Sequence, residues 1–207
     1  MSGFGMPVEK TGLVIVDLTN DFLSTDGAYG RAGQNAPEIA ALPGRIKPLV
    51  DLLREKGGHI VSAQFTLVPA KGGEPIISAH LKALRPFLGK GDFAPGTWGN
   101  SLVEMLAPAD LVVEKVAYSS FYMTRLEWVL RKCGIEKLIV GGIVTNGGVA
   151  STVRDAHVRD FDTTVLSDGC AAFSQATHNT AIEALRSVAR VATISEICSE
   201  IEGGDGD

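Results

Sequence analysis

Short apolar segments rich in β-branched residues alternate along this chain with longer segments of helical periodicity. The apolar runs are continuous rather than alternating with polar residues, which is typical of parallel strands buried on both faces. They predict strands at residues 13–17, 59–65, 111–115, 137–142, 163–167 and 191–194. Strands that alternate with helices predict an α/β fold with helices on both faces of the sheet and right-handed crossovers.

Helical patterns occupy most of the segments between the predicted strands. They lie at residues 38–56, 100–106, 124–133, 149–159 and 178–190. Two other stretches, 24–34 and 67–97, are rich in glycine and proline and interrupt the alternation. Connections of this length are uncommon in a compact domain unless they have a function, so we expect both stretches to be functional.

Composition limits the class of protein. The 207 residues predict one domain over 1–207, with a core at about 11–197 and a disordered acidic tail at 201–207. A net charge of −5 argues against a nucleic-acid partner, and the absence of a long apolar run argues against a membrane. The N-terminus lacks the pattern of a signal peptide, and three cysteines without metal spacing suggest reduced thiols. We therefore expect a cytoplasmic location.

Polar residues stand at the predicted carboxyl ends of several strands, where open α/β sheets bind their ligands. Asp17, Gln64 and Lys115 end the first three strands, and Asp168 ends the fifth. A carboxylate in an apolar strand needs a partner, because burial penalises an unpaired charge. Asp17 and Lys115 would stabilise each other if both point into one pocket. Alternatively, Asp17 caps a turn and Lys115 is a solvated lysine.

Residues 143–148, with the sequence Ile-Val-Thr-Asn-Gly-Gly, join the fourth predicted strand to a helix. The paired glycines allow unusual backbone angles and leave N–H groups free at the positive end of that helix. Such a turn can bind a carboxylate, a phosphate or a developing oxyanion. A flexible cap without a ligand is equally compatible with these residues.

Four motifs in this order resemble the isochorismatase-like hydrolases, a family of the cysteine hydrolase superfamily. They are GLVIVDLTNDF at 12–22, GTWGNSL at 96–102, and longer segments at 112–142 and 142–174. The resemblance covers about residues 11–197. It implies a three-layer α/β/α Rossmann-like domain with a six-stranded parallel sheet, assembled as a homodimer or homotetramer. It also implies a cis peptide bond between Ile143 and Val144.

The resemblance assigns catalytic positions but leaves one of them without its side chain. In the family's amidases an Asp activates a Cys thiol, the thiol attacks a carbonyl carbon, and a Lys supports the charges. Asp17 and Lys115 match the first and third roles, whereas Gly148 occupies the position of the cysteine. Without a thiol, the thioester route is closed. Cys170 follows the fifth predicted strand and is expected to be inert packing.

Isochorismatases of the same family also have glycine at this position, and they hydrolyse a vinyl ether. There an Asp protonates the ether while a Lys and a Gln hold the substrate, roles that Asp17, Lys115 and Gln64 match. This branch makes hydrolysis of an isochorismate-type vinyl ether the leading prediction. Two alternatives stay open: an amidohydrolase of N-carbamoyl, ureido or amide compounds whose nucleophile is replaced, and a small-molecule-binding protein without activity.

The resemblance also implies which residues surround the substrate, a small carboxylated or amide-like molecule. The substrate-binding residues are predicted to be Phe22, Gln64, Trp98, Tyr118, Phe121, Val144, Thr145, Asn146 and Gly147. Phe65 and Tyr122 are expected in the same pocket wall. No cofactor and no metal are expected, since the histidine cluster of the nicotinamidase branch does not follow the second strand.

Overall fold

The computed structural model describes residues 7–203, which form a six-stranded parallel sheet flanked by helices. The strands are β1 (Thr11–Val16), β2 (His59–Phe65), β3 (Leu111–Lys115), β4 (Lys137–Ile143), β5 (Asp162–Ala171) and β6 (Arg190–Ala192). Their order is β3-β2-β1-β4-β5-β6, and every neighbouring pair is parallel. The predicted α/β class and the six-stranded parallel sheet are confirmed.

Helices connect the strands and cover the sheet. They are α1 (Asn20–Leu23), α2 (Ala28–Arg31), α3 (Pro37–Ala40), α4 (Leu42–Glu55), α5 (Ala79–Leu84), α6 (Leu126–Lys132), α7 (Ala150–His157), α8 (Gln175–Leu185) and α9 (Ile194–Gly203). Short 3-10 turns lie at Val8–Lys10 and Glu104–Leu106, and a π-helical turn at Thr145–Val149 precedes α7. Within residues 7–203, no helix has the length and apolar character needed to cross a bilayer.

Side chains of β1 alternate between two apolar cores. Leu13 and Ile15 pack on one face of the sheet, and Val14 and Val16 pack on the other, all fully buried. The first core includes residues of α4 and α9, and the second includes residues of α6, α7 and α8. Burial on both faces is the reason that the strand sequence is continuously apolar.

The fifth strand is longer than predicted. β5 continues through Asp168 to Ala171, and its pairing with β4 shifts at a bulge, from Val140 opposite Val165 to Gly142 opposite Cys170. Asp168 therefore does not end the strand, and one of its carboxylate oxygens accepts a hydrogen bond of 2.8 Å from the N–H of Ile194. A bulge adds residues to one strand of a pair without ending the ladder, which a run of apolar residues does not reveal.

Other boundaries also differ from the predictions. Proline at position 43 belongs to the first turn of α4, and the helix expected over 38–56 divides into α3 and α4 just before it. The helix expected over 100–106 is reduced to the 3-10 turn at its end. The tail expected to be disordered from residue 201 begins inside α9. The rest of that tail, 204–207, and the first six residues lie outside the described part of the chain.

The strand order reverses between β1 and β4. The chain builds the sheet outward from β1 to β3 on one side and from β4 to β6 on the other. A crevice opens at such a switch point, beyond the carboxyl ends of the two central strands, and open α/β sheets bind ligands there. The residues that follow β1 and β4 are Asp17 and the turn at 144–149.

Candidate active site

Asp17 is the first residue after β1, and its backbone has a φ of +60°. A positive φ is uncommon for a residue with a Cβ and is frequent at functional sites. The Asp17 N–H donates to the carbonyl oxygen of Ala63 at 2.9 Å, which ties the strained residue to β2. Its Oδ1 accepts from the N–H of Phe65 at 2.8 Å. The backbone thus fixes the direction of the carboxylate.

Lys115 provides the charge that balances Asp17. It is the last residue of β3, only 1% exposed, and its Nζ donates to Asp17 Oδ2 at 2.7 Å. The same Nζ donates to the carbonyl oxygen of Ala117 at 3.2 Å and lies 5.6 Å from the centre of the Phe65 ring. The lysine therefore reaches across the end of β2 and forms a buried ion pair with the aspartate.

Burial and the lysine act on the acidity of Asp17 in opposite directions. Desolvation is the larger effect and raises the pKa of the carboxyl group above its ordinary value. The ammonium of Lys115 and the N–H of Phe65 oppose this rise in pKa, because both stabilise the ionised form. A carboxyl group with a raised pKa is suited to accept and return a proton during a reaction.

The turn after β4 brings Gly148 against the carboxylate. The Ile143-Val144 peptide bond is cis, as the resemblance implied. A Cβ on Gly148 would lie 3.2 Å from Asp17 Oδ2 and 2.8 Å from the carbonyl oxygen of Ile143. The position to which the resemblance assigned the thiol is therefore adjacent to the ion pair. In this chain it is packed too closely for even a methyl group to enter without a shift.

A cavity of about 100 Å³ lies over the ion pair and has mostly aromatic and aliphatic walls. It is lined by Asp17, Phe22, Tyr29, Phe65, Leu81, Leu84, Arg85, Leu88, Lys115, Tyr118, Ile143, Val144, Gly148 and Phe173. Enclosed, mainly apolar cavities with a few convergent polar groups are the usual form of small-molecule sites. The cavity over Asp17 and Lys115 combines apolar walls with a few polar groups in this way.

The structure brings together a large part of the set predicted from the sequence. The predicted residues in the cavity wall are Asp17, Phe22, Phe65, Lys115, Tyr118, Val144 and Gly148. Thr145 and Gly147 belong to the same turn but do not line the cavity. The Thr145 hydroxyl lies 2.8 Å from His178 Nδ1, and a Cβ on Gly147 would lie 3.4 Å from the Tyr118 ring. Asn146 lies apart, in a groove that residues of α7 and α8 line.

Gln64, Trp98, Phe121 and Tyr122 are not in the cavity wall. Side chains of a strand alternate between faces, so Gln64 shares a face with Ser62, to which it donates at 3.2 Å, while Phe65 takes the cavity side. Phe121 is buried in the sheet core, with its ring centre 5.8 Å from that of Phe161.

Trp98 and Tyr122 are exposed on the surface. Trp98 contacts the segment after β1 through its backbone: its carbonyl oxygen accepts a hydrogen bond of 2.8 Å from the Asn20 side chain.

Seven residues of the cavity wall are absent from the set predicted from the sequence: Tyr29, Leu81, Leu84, Arg85, Leu88, Ile143 and Phe173. Tyr29 and Arg85 come from the stretches 24–34 and 67–97, whose length and composition indicated a function without indicating which side chains provide it. Phe173 follows the bulged part of β5, beyond the predicted end of that strand. The sequence indicated that the two long stretches have a function, but it did not indicate which of their side chains line the cavity.

No cysteine is in a position to replace the thiol. All three cysteines are free, and none lines the cavity. Cys170 is buried, and burial raises the pKa of its thiol to about 12, so it is not ionised near neutral pH. Across residues 7–203, no three His, Cys, Asp or Glu side chains are grouped so that they could hold a metal ion.

The fold and the site together describe an enzyme-like α/β domain with a buried aspartate–lysine ion pair at the switch point of its parallel sheet. Residues 11–196 match the isochorismatase domain, and the chain belongs to the isochorismatase family of hydrolases. The ureidoacrylate amidohydrolase RutB of Yersinia enterocolitica is 34% identical over 173 residues, which cover 78% of this chain and 75% of the relative. RutB of Methylobacterium radiotolerans is 34% identical over 190 residues, covering 86% and 71%.

Solved structures support the same fold. A cysteine hydrolase from Pseudomonas syringae pv. phaseolicola superimposes with a TM-score of 0.82 at 23% identity and covers 99% of this chain and 98% of its own. The N-carbamoylsarcosine amidase of Thermoplasma acidophilum superimposes with a TM-score of 0.68 at 23% identity, covering 89% and 96%. At this level of identity the likeness concerns the fold alone.

Proposed function

We propose that this protein hydrolyses a C–N bond of a small N-carbamoyl, ureido or amide compound, with water in place of the cysteine nucleophile. Two relatives at 34% identity are ureidoacrylate amidohydrolases, which favours this chemistry over the vinyl ether hydrolysis predicted first. The observation that carries the proposal is the buried contact of 2.7 Å between Lys115 and Asp17 at the floor of the cavity, beside Gly148.

In the proposed reaction, Asp17 acts as the base and then as the acid. Its carboxylate accepts a proton from a water molecule, and the water oxygen forms a bond with the substrate carbonyl carbon. Negative charge develops on the carbonyl oxygen, where the ammonium of Lys115 stabilises it. Asp17 returns the proton to the leaving nitrogen as the C–N bond breaks. The products are a carboxylic or carbamic acid and ammonia or an amine.

The cavity supplies the conditions that this reaction needs. Its apolar walls keep Asp17 desolvated, which raises the pKa of the carboxyl group and makes it a stronger base. A low-polarity environment also strengthens the interaction of Lys115 with a developing oxyanion. Gly148 adds no side chain between the carboxylate and the cavity, so a water molecule can approach Asp17 from the substrate side.

Vinyl ether hydrolysis is the second candidate. Glycine at position 148 and the raised pKa of Asp17 both suit an enzyme in which the aspartic acid donates a proton to an enol ether. The position of Gln64 is unfavourable for it, because the residue expected to help hold that substrate does not line the cavity. We therefore rank it below C–N hydrolysis.

An end-product assay separates the two candidates. Purified protein is offered isochorismate beside a panel of small amides, ureas and carbamoyl compounds, and ammonia and pyruvate are measured separately. We expect ammonia without pyruvate, unaffected by alkylation with iodoacetamide because no cysteine lines the cavity. Pyruvate alone would establish the second candidate. Neither product, or an activity abolished by alkylation, would contradict the proposal.

A further inference from the structure

Arg85 is a half-buried cation in the cavity wall whose hydrogen-bond partners are neutral. It follows α5, and its Nε donates to the Tyr29 hydroxyl oxygen at 3.0 Å. Its Nη1 donates to the carbonyl oxygen of Leu84 at 2.9 Å. The guanidinium carbon lies 5.2 Å from the centre of the Phe173 ring and 5.8 Å from that of Tyr29. Among the residues that the structure describes, no carboxylate lies within ion-pair distance of Arg85.

The charges in the wall of the cavity do not balance. Asp17, Lys115 and Arg85 are its charged residues, and the first two neutralise each other at 2.7 Å. Arg85 therefore leaves an excess positive charge beside a mostly apolar space. A half-buried cation without a counter-ion favours the binding of an anion, because the anion compensates its charge.

Tyr29 offers a second donor beside the guanidinium. The residue is 6% exposed and lies in the same wall. Its oxygen already accepts from Arg85, and its own hydroxyl hydrogen has no acceptor among residues 7–203. The Nη2 group of Arg85 likewise makes no hydrogen bond within that part of the chain. Two unused donors, one charged and one neutral, match the two oxygens of a carboxylate.

We propose that Arg85 and Tyr29 bind a carboxylate of the substrate. This inference rests on the proposed function and narrows it: the substrate is a carbamoyl, ureido or amide compound with a carboxylate at the end away from the scissile bond. One end of the molecule then contacts Asp17 and Lys115, and the other contacts Arg85 and Tyr29. The subsite fixes the orientation of the substrate and rejects neutral compounds of the same length.

Binding of an inert analogue tests the subsite without requiring turnover. The probes are 4-oxopentanoate, in which a ketone replaces the scissile group, and 2-pentanone, which lacks the carboxylate. Isothermal titration should show 4-oxopentanoate binding at least about tenfold more tightly than 2-pentanone, since hydrogen bonds between charged groups are stronger than those between neutral groups. Equal affinities, or no binding of either probe, would overturn the proposal.

Matched variants assign the effect to the two residues. Arg85→Met should remove the preference for the carboxylate, and Tyr29→Phe should reduce it by roughly fivefold, in line with one neutral donor. Arg186→Met is the control, because it removes an equally charged residue that is exposed on the surface after α8. A preference that survives in both Arg85→Met and Tyr29→Phe would mean that these residues only stabilise the wall.

The ammonia assay tests the proposed function and the titration tests the carboxylate subsite, so each proposal can be contradicted without the other. Binding of 4-oxopentanoate through Arg85 without any release of ammonia would support the carboxylate subsite and contradict the proposed function. Equal release of ammonia from 3-ureidopropionate and from N-propylurea, with no effect of Arg85→Met, would support the proposed function and contradict the carboxylate subsite. Circular dichroism and thermal melting of each variant confirm that the fold is intact.

Discussion

At the scale of single residues, the proposed chemistry depends on the ion pair between Asp17 and Lys115. Removing two charges from water is costly, and their attraction offsets that penalty only with good geometry and further hydrogen bonds. Here the carboxylate also accepts from the Phe65 N–H, and the ammonium also donates to the Ala117 carbonyl. The pair is therefore held without occupying every lone pair of Asp17, which leaves the carboxylate able to exchange a proton.

Replacing Asp17 with Asn should reduce turnover by about 10²–10⁴-fold, the usual contribution of a general acid or base. The change also leaves the Lys115 ammonium buried without its partner, which should lower the free energy of unfolding by about 3–5 kcal/mol. Ammonia release and urea denaturation measure the two effects. The double variant Asp17→Asn/Lys115→Met should regain part of the stability and none of the activity. An unchanged rate in Asp17→Asn would exclude both mechanisms considered above.

The pH dependence of activity should reveal which form of Asp17 reacts. Because burial raises the folded-state pKa of Asp17, the free energy of unfolding that this group contributes falls as pH rises from the unfolded pKa to the folded pKa. For water activation the ionised form is required, so kcat/KM should rise with pH through the folded pKa. For vinyl ether protonation it should fall. The profile is measured with the substrate that the end-product assay identifies, at pH values where the charge of that substrate is constant, and its direction distinguishes the two mechanisms.

Gly148 should tolerate a side chain poorly. Its Cβ would lie 2.8 Å from the Ile143 carbonyl oxygen and 3.1 Å from a methyl group of Val16. Gly148→Ala is therefore expected to lower the free energy of unfolding by about 1–3 kcal/mol. Gly44, in α4, has no atoms within 4 Å of its Cβ position, and Gly44→Ala should raise stability by about 0.5–1 kcal/mol. Equal effects in denaturant titrations would show that position 148 is not tightly packed.

Gly148→Cys asks whether the remaining amidase machinery is intact. The thiol would stand beside Asp17, which could then activate it as in the cysteine-dependent members of the family. We expect ammonia release to increase and to become sensitive to iodoacetamide, in contrast to the wild type. Gly148→Ser, with a similar size and a poorer nucleophile, is the matched control. Insensitivity of the Cys variant to alkylation would show that the thiol does not react.

At the scale of elements, one carboxylate connects the two irregular segments that form the cavity wall. Asp21 is buried in α1, and its Oδ1 accepts from the N–H of Ala28, where α2 begins, at 2.9 Å. Its Oδ2 accepts from the N–H of Phe93 at 2.6 Å. Gly99 leaves the space for this carboxylate, since a Cβ there would lie 2.3 Å from Oδ2. We therefore expect the relative positions of Tyr29 and Arg85 to depend on this connection.

Asp21→Asn should loosen the cavity wall while the sheet stays folded. The amide group would place a donor opposite a backbone N–H, and an unsatisfied buried group costs about 1–3 kcal/mol. We expect KM to rise more than kcat falls, and amide hydrogen exchange to accelerate in 67–97. Asp26→Asn is the control, because this exposed residue lies in the neighbouring segment. Faster exchange confined to the sheet, or none at all, would contradict the role of Asp21.

The strands of the sheet could be predicted because the burial of a strand determines which residue types it contains. Burial on both faces makes β1 continuously apolar, and the bounds of β2 and β3 coincide with those predicted. The direction of a side chain at a strand end is harder to predict from the sequence, because a shift of one residue moves the side chain to the other face of the sheet. Gln64 and Phe65 illustrate this: the first was expected in the cavity, and the second lies there.

At the scale of the whole molecule, the cavity depends on contacts between residues far apart in the sequence. The contact between Asp17 and Lys115 could be predicted from the sequence, since parallel strands end at one edge of the sheet. Arg85 could not, because it reaches Tyr29 from a segment without regular periodicity. Loop conformations of this kind are determined by buried hydrogen bonds such as those of Asp21, which local sequence patterns do not report.

The surface near the edge strand β3 predicts self-association, which the family resemblance also implied. Apolar side chains are exposed along the segment that follows this strand, including Met123 at 80% and Trp128 at 64%. Exposed apolar surface of this kind commonly marks a protein interface. We therefore expect sedimentation velocity to show a dimer or a larger oligomer in the wild type.

A charged substitution in this segment tests the assignment of the interface. Met123→Glu should weaken the oligomer by at least about tenfold, because burying an unpaired carboxylate costs more than about 1.4 kcal/mol. Val158→Glu is the control, since Val158 is 73% exposed after α7. Because Tyr118 is both exposed and part of the cavity wall, dissociation should also change KM. A monomeric wild type at all concentrations would contradict the prediction, and an oligomer broken only by Val158→Glu would place the interface elsewhere.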